Sequence, residues 1–319
     1  MSIFSLTESA APTVAVEIAA GRVSAASLEI RAGQAVVAAH ATEPIPEAAL
    51  VPSFTAVNTH DRAAVVGALG RVLERVGRPR RIGLIVSDVT AKVSIVRFEQ
   101  VPAKSADLDQ LVRWQIRKAA PFPIEEAQVS YVPGMLAEDG QEFIVSMARR
   151  DVIAEYEGLC AEAGAQAGLI DLATFNVINA VLAGGNAPAA DWLLVNVAVD
   201  SASIALLRGP HLIFFRNRTA DSEGTLADLV HQTAMYYEDR LKGAGFSRVI
   251  VAGAASVKEA DELDEIRRSL EDRLTTTVDT VDPRPAVALT DRIVAAPALL
   301  DTLAPLVGLL LRDRDRVNA

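Results

Sequence analysis

Apolar positions alternate along the chain in two rhythms, one suited to strands and one to helices, and their order occurs twice. Thr13–Ile18 reads as a short apolar strand; Gly21 and Arg22 turn it into a second, Val23–Ile30, and Ala32 with Gly33 lead into a third, Ala35–Ala41. After a loop carrying Pro44, Pro46 and Pro52, residues Asp61–Val76 set Val65, Leu69, Val72, Leu73 and Val76 on one stripe, which predicts an amphipathic helix stopped by Gly77 and Pro79. The apolar strand Ile82–Ser87 follows. The same succession returns as strands Trp192–Val197, Ser203–Leu207 and Leu212–Arg218, a long helix from about Glu223 to Leu241, and the strand Arg248–Ala252. This repeat predicts a duplicated, two-lobed α/β protein, each copy a mixed sheet covered by helices.

Between the copies the pattern changes. A helix (Ala106–Ala119), a Pro121-Phe122-Pro123 element, strands Ala127–Met135 and Glu142–Ala148, and a helix (Asp151–Ala163) read as a small inserted unit. The expected division is a first lobe of residues 1–100 plus 168–187, an inserted subdomain of 101–167, and a second lobe of 188–319. The chain closes on a helix, Pro297–Leu311, and an alternating charged run to Arg316 that reads as solvated. A duplicated sheet with a cleft between lobes is the plan of the actin-like (ribonuclease H-like) ATPases and sugar kinases, although fold alone assigns no function.

Composition narrows the classes. Half of the 319 residues are apolar and the formal net charge is -10, which argues against a nucleic-acid or anionic-membrane partner. The single cysteine, Cys160, excludes an intrachain disulfide or thiolate cluster and reads as a buried thiol in a reducing compartment. The first residues lack the basic and apolar regions of a signal peptide. Ile293–Leu311 is broken by Asp301 and two prolines, so it reads as a buried helix rather than a membrane span; a cytoplasmic protein is expected. No GxxxxGK[ST], GxGxxG, GxSxG, HExxH or CxxC occurs, the four histidines have no ligand spacing, and no acid–base pair stands out, so no catalytic or metal-ligating residue is assigned.

An actin-like ATP site needs two hairpins whose backbone approaches the phosphates, usually at Gly, with an Asp to hold Mg²⁺ through water. Here the first hairpin, Val16 to Gly21, carries Glu17 in place of the Asp and Ala19 in place of the Gly. The second has Asn196 in place of the acid and Ala198 in place of the Gly, followed by Ser201. The adenosine loop keeps only Gly253 of a Gly-Gly pair. Glu17, Ala19, Gly21, Asn196, Ala198, Ser201 and Gly253 are therefore candidate residues of a degenerate nucleotide site. No ATP or Mg²⁺ cofactor and no effective hydrolysis are expected, while loose nucleotide binding stays open because Ser201, Ser203 and backbone donors are retained.

The stretch Leu111 to Glu126, in which a Trp-bearing helix runs into Pro121-Phe122-Pro123 and acidic residues, resembles PilM, the actin-like cytoplasmic component of type IV pilus assembly. Ser146 to Val152, Gly168 to Phe175 and Leu306 to Arg312 are similar to further PilM segments in the same order. The resemblance implies an actin-like fold with an FtsA-type subdomain. It also implies a scaffold role whose partner is the N-terminal peptide of the inner-membrane protein PilN, held between the first lobe and that subdomain. Contacts to the assembly motor ATPase, homo-oligomeric rings, and a peripheral place at the inner membrane belong to the same implication. An extended peptide needs a strand edge and apolar pockets, for which Trp114, Phe122 and Ile124 are candidates, with Arg113 and Arg117 beside them. The same residues equally suit packing of the helix, a fixed turn and a solvated face. A divergent actin-like ATPase and a GspL-like type II secretion component remain the alternatives, with a sugar kinase last.

Overall fold

The computed structural model describes residues 12–185, 190–219, 224–257, 260–290 and 293–312. The first eleven residues, Glu223 and the charged run Asp313–Arg316 lie outside them. The chain enters through β1 (Val14–Ala19), β2 (Arg22–Arg31), β3 (Gln34–Pro44), α1 (Arg62–Arg75) and β4 (Arg81–Val86). It continues as β5 (Ala91–Phe98), α2 (Ser105–Ile116), β6 (Ala127–Ala137), β7 (Gly140–Arg149), α3 (Arg150–Glu162), β8 (Gln166–Leu172) and α4 (Ala173–Ala183). The second half comprises β9 (Asp191–Val197), β10 (Ser201–Arg208), β11 (His211–Thr219), α5 (Leu226–Leu241), β12 (Arg248–Ala252), α6 (Ala254–Val257), α7 (Ala260–Leu274), β13 (Val278–Thr280), β14 (Ala288–Leu289) and α8 (Pro297–Leu311).

Duplication is visible in the pairing itself. The first sheet contains the run β3-β2-β1-β4-β8 and the second is β11-β10-β9-β12-β13. In both, the hairpin strands pair antiparallel and the strand after the crossover helix returns parallel to the first strand. A register irregularity also recurs, at Ser27/Leu28 and at Leu206/Leu207. The central parallel strands are buried on both faces, which is why β1 and β4 read as continuous apolar runs rather than alternating ones.

Alternation along β1 sends Val14, Val16 and Ile18 to a core shared with α1, and Ala15 to a core shared with α8. That two-sided requirement redraws the expected boundaries. Helix α3, assigned to the inserted unit, buries Val152, Tyr156, Leu159 and Cys160 in the first-lobe core. The chain's end, assigned to the second lobe, returns to the first: β14 pairs with β3, and Leu303, Leu306 and Leu310 of α8 cover the second face of the first sheet. In the inserted unit, β5 pairs with β7 along its length and gives the order β5-β7-β6, so this sheet begins at Ala91, ahead of residue 101. Between the lobes lies α4, whose Val177, Ile178 and Val181 pack with the second lobe while Ala180 meets α8.

Candidate functional site

The duplicated hairpins meet at the carboxyl ends of the parallel strands, where open α/β sheets place their ligands. Of the degenerate nucleotide-site residues, Glu17, Ala19, Asn196, Ala198, Ser201 and Gly253 line one interlobe cleft; Gly21 does not. Gly21 instead takes φ +81° in the tight turn joining β1 to β2, with Ala19 and Arg22 as the last paired residues.

Three observations describe what the cleft can hold. Its cavity measures about 50 Å³, against the roughly 300–1,000 Å³ of ordinary ligand pockets. Two backbone donors at the cleft are taken: Ala198 N–H bonds to the Ser201 carbonyl at 2.8 Å and Ala255 N–H to the Asp301 carboxylate at 2.7 Å. The acid of the first hairpin is tied, since buried Glu17 pairs with Arg22 at 3.3 Å and Arg22 reaches across to donate to Ser256 Oγ at 2.8 Å. The actin-like plan implies ATP with Mg²⁺ here. The residues present do not fit that group in this geometry.

What the cleft does contain is a polar seam between the lobes that sequence reasoning missed. Asp88, buried just after β4, accepts hydrogen bonds from Thr174 N–H (3.1 Å), the Thr174 hydroxyl and Ser203 Oγ (2.6 Å). Asn196 donates to Thr174 Oγ1 at 2.9 Å, and Asn217 to the Asp88 carbonyl at 2.9 Å. Burial pushes the Asp88 carboxyl up from its ordinary range, opposed by the bonds from Ser203 and Thr174. Burial likewise raises Asp200, and pushes Asp301 to about 6. Two signals were available in the sequence: Ser87-Asp88 closes an apolar parallel strand, and Asp301 interrupts an apolar helix.

A second concavity, about 400 Å³, lies between the first lobe and the inserted sheet. Leu169–Leu172 of β8 form one wall with Phe175; Gln128, Ser130 and Val132 of β6, with Ile144 and Ser146 of β7, form the other. Among the described residues both β8 and β6 are terminal strands of their sheets, so each turns an unpaired backbone edge outward. An ion pair of Asp171 with Arg312, 2.7 Å, stands in the lining. Three of the four segments noted in the sequence, beginning at Ser146, Gly168 and Leu306, contribute to these walls.

The fourth segment does not. On α2, Val112 and Ile116 are buried against Val129, Phe143, Val145 and Met147, the face of the inserted sheet opposite Ile144 and Ser146. Trp114 sits two residues from Val112, about 200° around the helix, and is 61% exposed. Arg113 pairs with Asp109 at 2.8 Å and Arg117 is exposed. Phe122 meets Phe54 with ring centroids 5.1 Å apart, and Ile124 packs on the α2 side. None of these five lines the groove between β6 and β8.

A profile of the family described as type IV pilus assembly protein PilM matches residues 15–239. No curated protein matches the sequence. Among solved structures, the PilM–PilN type IV pilus biogenesis complex is similar with a TM-score of 0.79 at 18% identity, covering 94% of this chain and 98% of that one. A Bacteroides thetaiotaomicron protein with an actin-like ATPase fold and unknown function gives 0.51 at 10% identity, covering 90% and 96%. The fold is actin-like.

Proposed function

The chain belongs to the type IV pilus assembly protein PilM family, and from that premise we propose that it serves pilus assembly as a scaffold holding the N-terminal peptide of a PilN-like inner-membrane protein in the groove between β6 and β8. One observation carries this reading: a groove of about 400 Å³ bounded by two terminal strands. An extended peptide laid there finds main-chain partners on either side, the mode of strand addition. Val132, Ile144, Ile170 and Phe175 supply apolar contacts, and Ser130, Ser146 and Asn179 supply hydrogen-bonding groups. The similarity to a PilM–PilN complex supports the choice of partner.

In this reading the interlobe cleft is inherited architecture, closed by its own side chains rather than by a nucleotide, and the protein hydrolyses no ATP at a useful rate. The protein then resides in the cytoplasm and is held at the inner membrane by its partner. Among the described residues no helix is long and apolar enough to cross a membrane.

Fluorescence anisotropy with a labelled peptide from the N-terminus of the PilN-like partner tests the groove. Ser146→Arg, which puts a long charged side chain on the groove face of β7, is expected to weaken binding at least tenfold with an unchanged circular dichroism spectrum. Trp114→Ala, on the far side of α2, is expected to leave affinity within twofold. Unchanged affinity in Ser146→Arg would remove this groove from the proposal.

A further inference from the structure

A second groove opens at the other edge of the inserted sheet. It encloses about 650 Å³ and is walled by the 52–54 loop, the start of β5 and the second half of β11. Among the described residues both β5 and β11 are terminal strands, each of its own sheet. Its apolar surface comes from Phe54, Val89, Val93 and Phe215. Among the described residues the charges along it are of one sign: Lys92, Arg216 and Arg218 line it, and no described Asp or Glu does. In a chain of net charge -10 that is the reverse of the average surface. Among the described residues neither Lys92 nor Arg216 has an acidic partner. Arg218 is held at the rim by bonds to the carbonyls of Gly224 (2.6 Å) and Thr225 (3.3 Å).

The wall facing these cations is built to stay in place. Phe122, from the Pro-Phe-Pro element, packs against Phe54, and the Arg149 guanidinium lies 5.8 Å over the Phe122 ring while also donating to the Thr55 carbonyl. Asn58, fully buried, bonds the Ser53 N–H and the Ser53 carbonyl at 3.0 Å each. Its own N–H bonds Glu155 at 3.0 Å. The Pro-Phe-Pro element thus braces this wall from behind, and Phe122 does not line the groove. A rigid wall lowers the ordering cost of any segment that binds beside it.

We propose that this groove takes an extended acidic segment of a partner protein, added as a strand along β5 or β11 with its carboxylates toward Lys92 and Arg216. Open strand edges supply backbone pairing for such a segment, and one-signed charge supplies selection against basic or neutral ones. A nucleic acid fits less well: it has no peptide backbone to pair with an open strand edge. The inference does not depend on the groove between β6 and β8, which lies between different elements.

The test uses the full chain and a fluorescein-labelled decapeptide of alternating Glu and Val. Saturable binding is expected, weakening as salt rises from about 0.1 to 0.5 M because charge pairing is screened. Arg216→Glu combined with Lys92→Glu is expected to weaken it at least tenfold; both side chains are exposed, so the fold should persist. A Lys–Val decapeptide should not bind, and excess PilN-like peptide should not displace the acidic one. The proposal is overturned by no saturation below about 1 mM, by equal binding of the Lys–Val peptide, by tighter binding of a decathymidylate, by displacement with the PilN-like peptide, or by wild-type affinity in the double variant.

Discussion

Asp301 is 5% exposed in the middle of an apolar helix, and its carboxylate caps α6 of the opposite lobe through Ala255 N–H. Burial dominates its balance and lifts it to about 6 from an ordinary 3.8, with backbone bonds and Arg22 opposing. A raised carboxyl stabilises the fold while protonated, so this contribution is present below about pH 4 and is lost as pH climbs through 6. A rise from 3.8 to about 6 corresponds to about 3 kcal/mol. Asp301→Asn should therefore gain stability relative to wild type between about pH 4 and 6, with the advantage level above that. Urea unfolding of both proteins across that range measures it; a pH-independent difference would show that the carboxyl is not titrating there.

At the scale of elements, α8 closes against α4 at Gly308. A Cβ at that position would lie 1.7 Å from the Asn176 carbonyl oxygen and 2.9 Å from Ala180 N. Ala ordinarily improves a helix over Gly by about 1 kcal/mol, and overpacking a core typically costs about 1–3 kcal/mol. Here the obstacle is backbone on a second helix, which moves only as a unit, so the packing cost wins. Gly308→Ala is expected to lose about 2 kcal/mol or more in chemical denaturation. Gly83→Ala is the useful contrast, because its closest neighbour is the side chain of Leu309 at 2.2 Å, which can rotate away. Equal stability of Gly308→Ala and wild type would mean that the two helices are not held this closely.

For the whole molecule, the lobes are joined by the seam of Asp88, Thr174, Ser203 and Asn196 and by the Arg22 bridge to Ser256. A nucleotide would have to displace both and open a cavity of about 50 Å³. A ligand binding the native state at a thousand times its dissociation constant stabilises by about 4 kcal/mol, a shift of several degrees for a protein of this size. With 1 mM ATP and Mg²⁺ the melting midpoint is expected to move by less than about 1 °C. A larger Mg²⁺-dependent rise would restore the nucleotide reading.

Local pattern was enough to reveal the duplication. Strands such as Ile82–Val86 and stripes such as Val65–Leu69–Val72 depend on burial periodicity, which each segment carries by itself. Substituted hairpin positions were legible for the same reason, as Glu17, Ala19, Asn196 and Ala198 sit at fixed offsets within their own strands. Only the tertiary structure decided which residues meet. It turned α8 and β14 back onto the first lobe, brought Asp301 to α6 and Asp88 to Ser203, and put Ser146 opposite Ile170 while leaving Trp114 on the outer side of α2. The physical reason is that a groove, a seam and a lobe boundary are made by pairs of elements far apart in the chain. Helical or strand period says which face of a segment is buried, and not what lies against it.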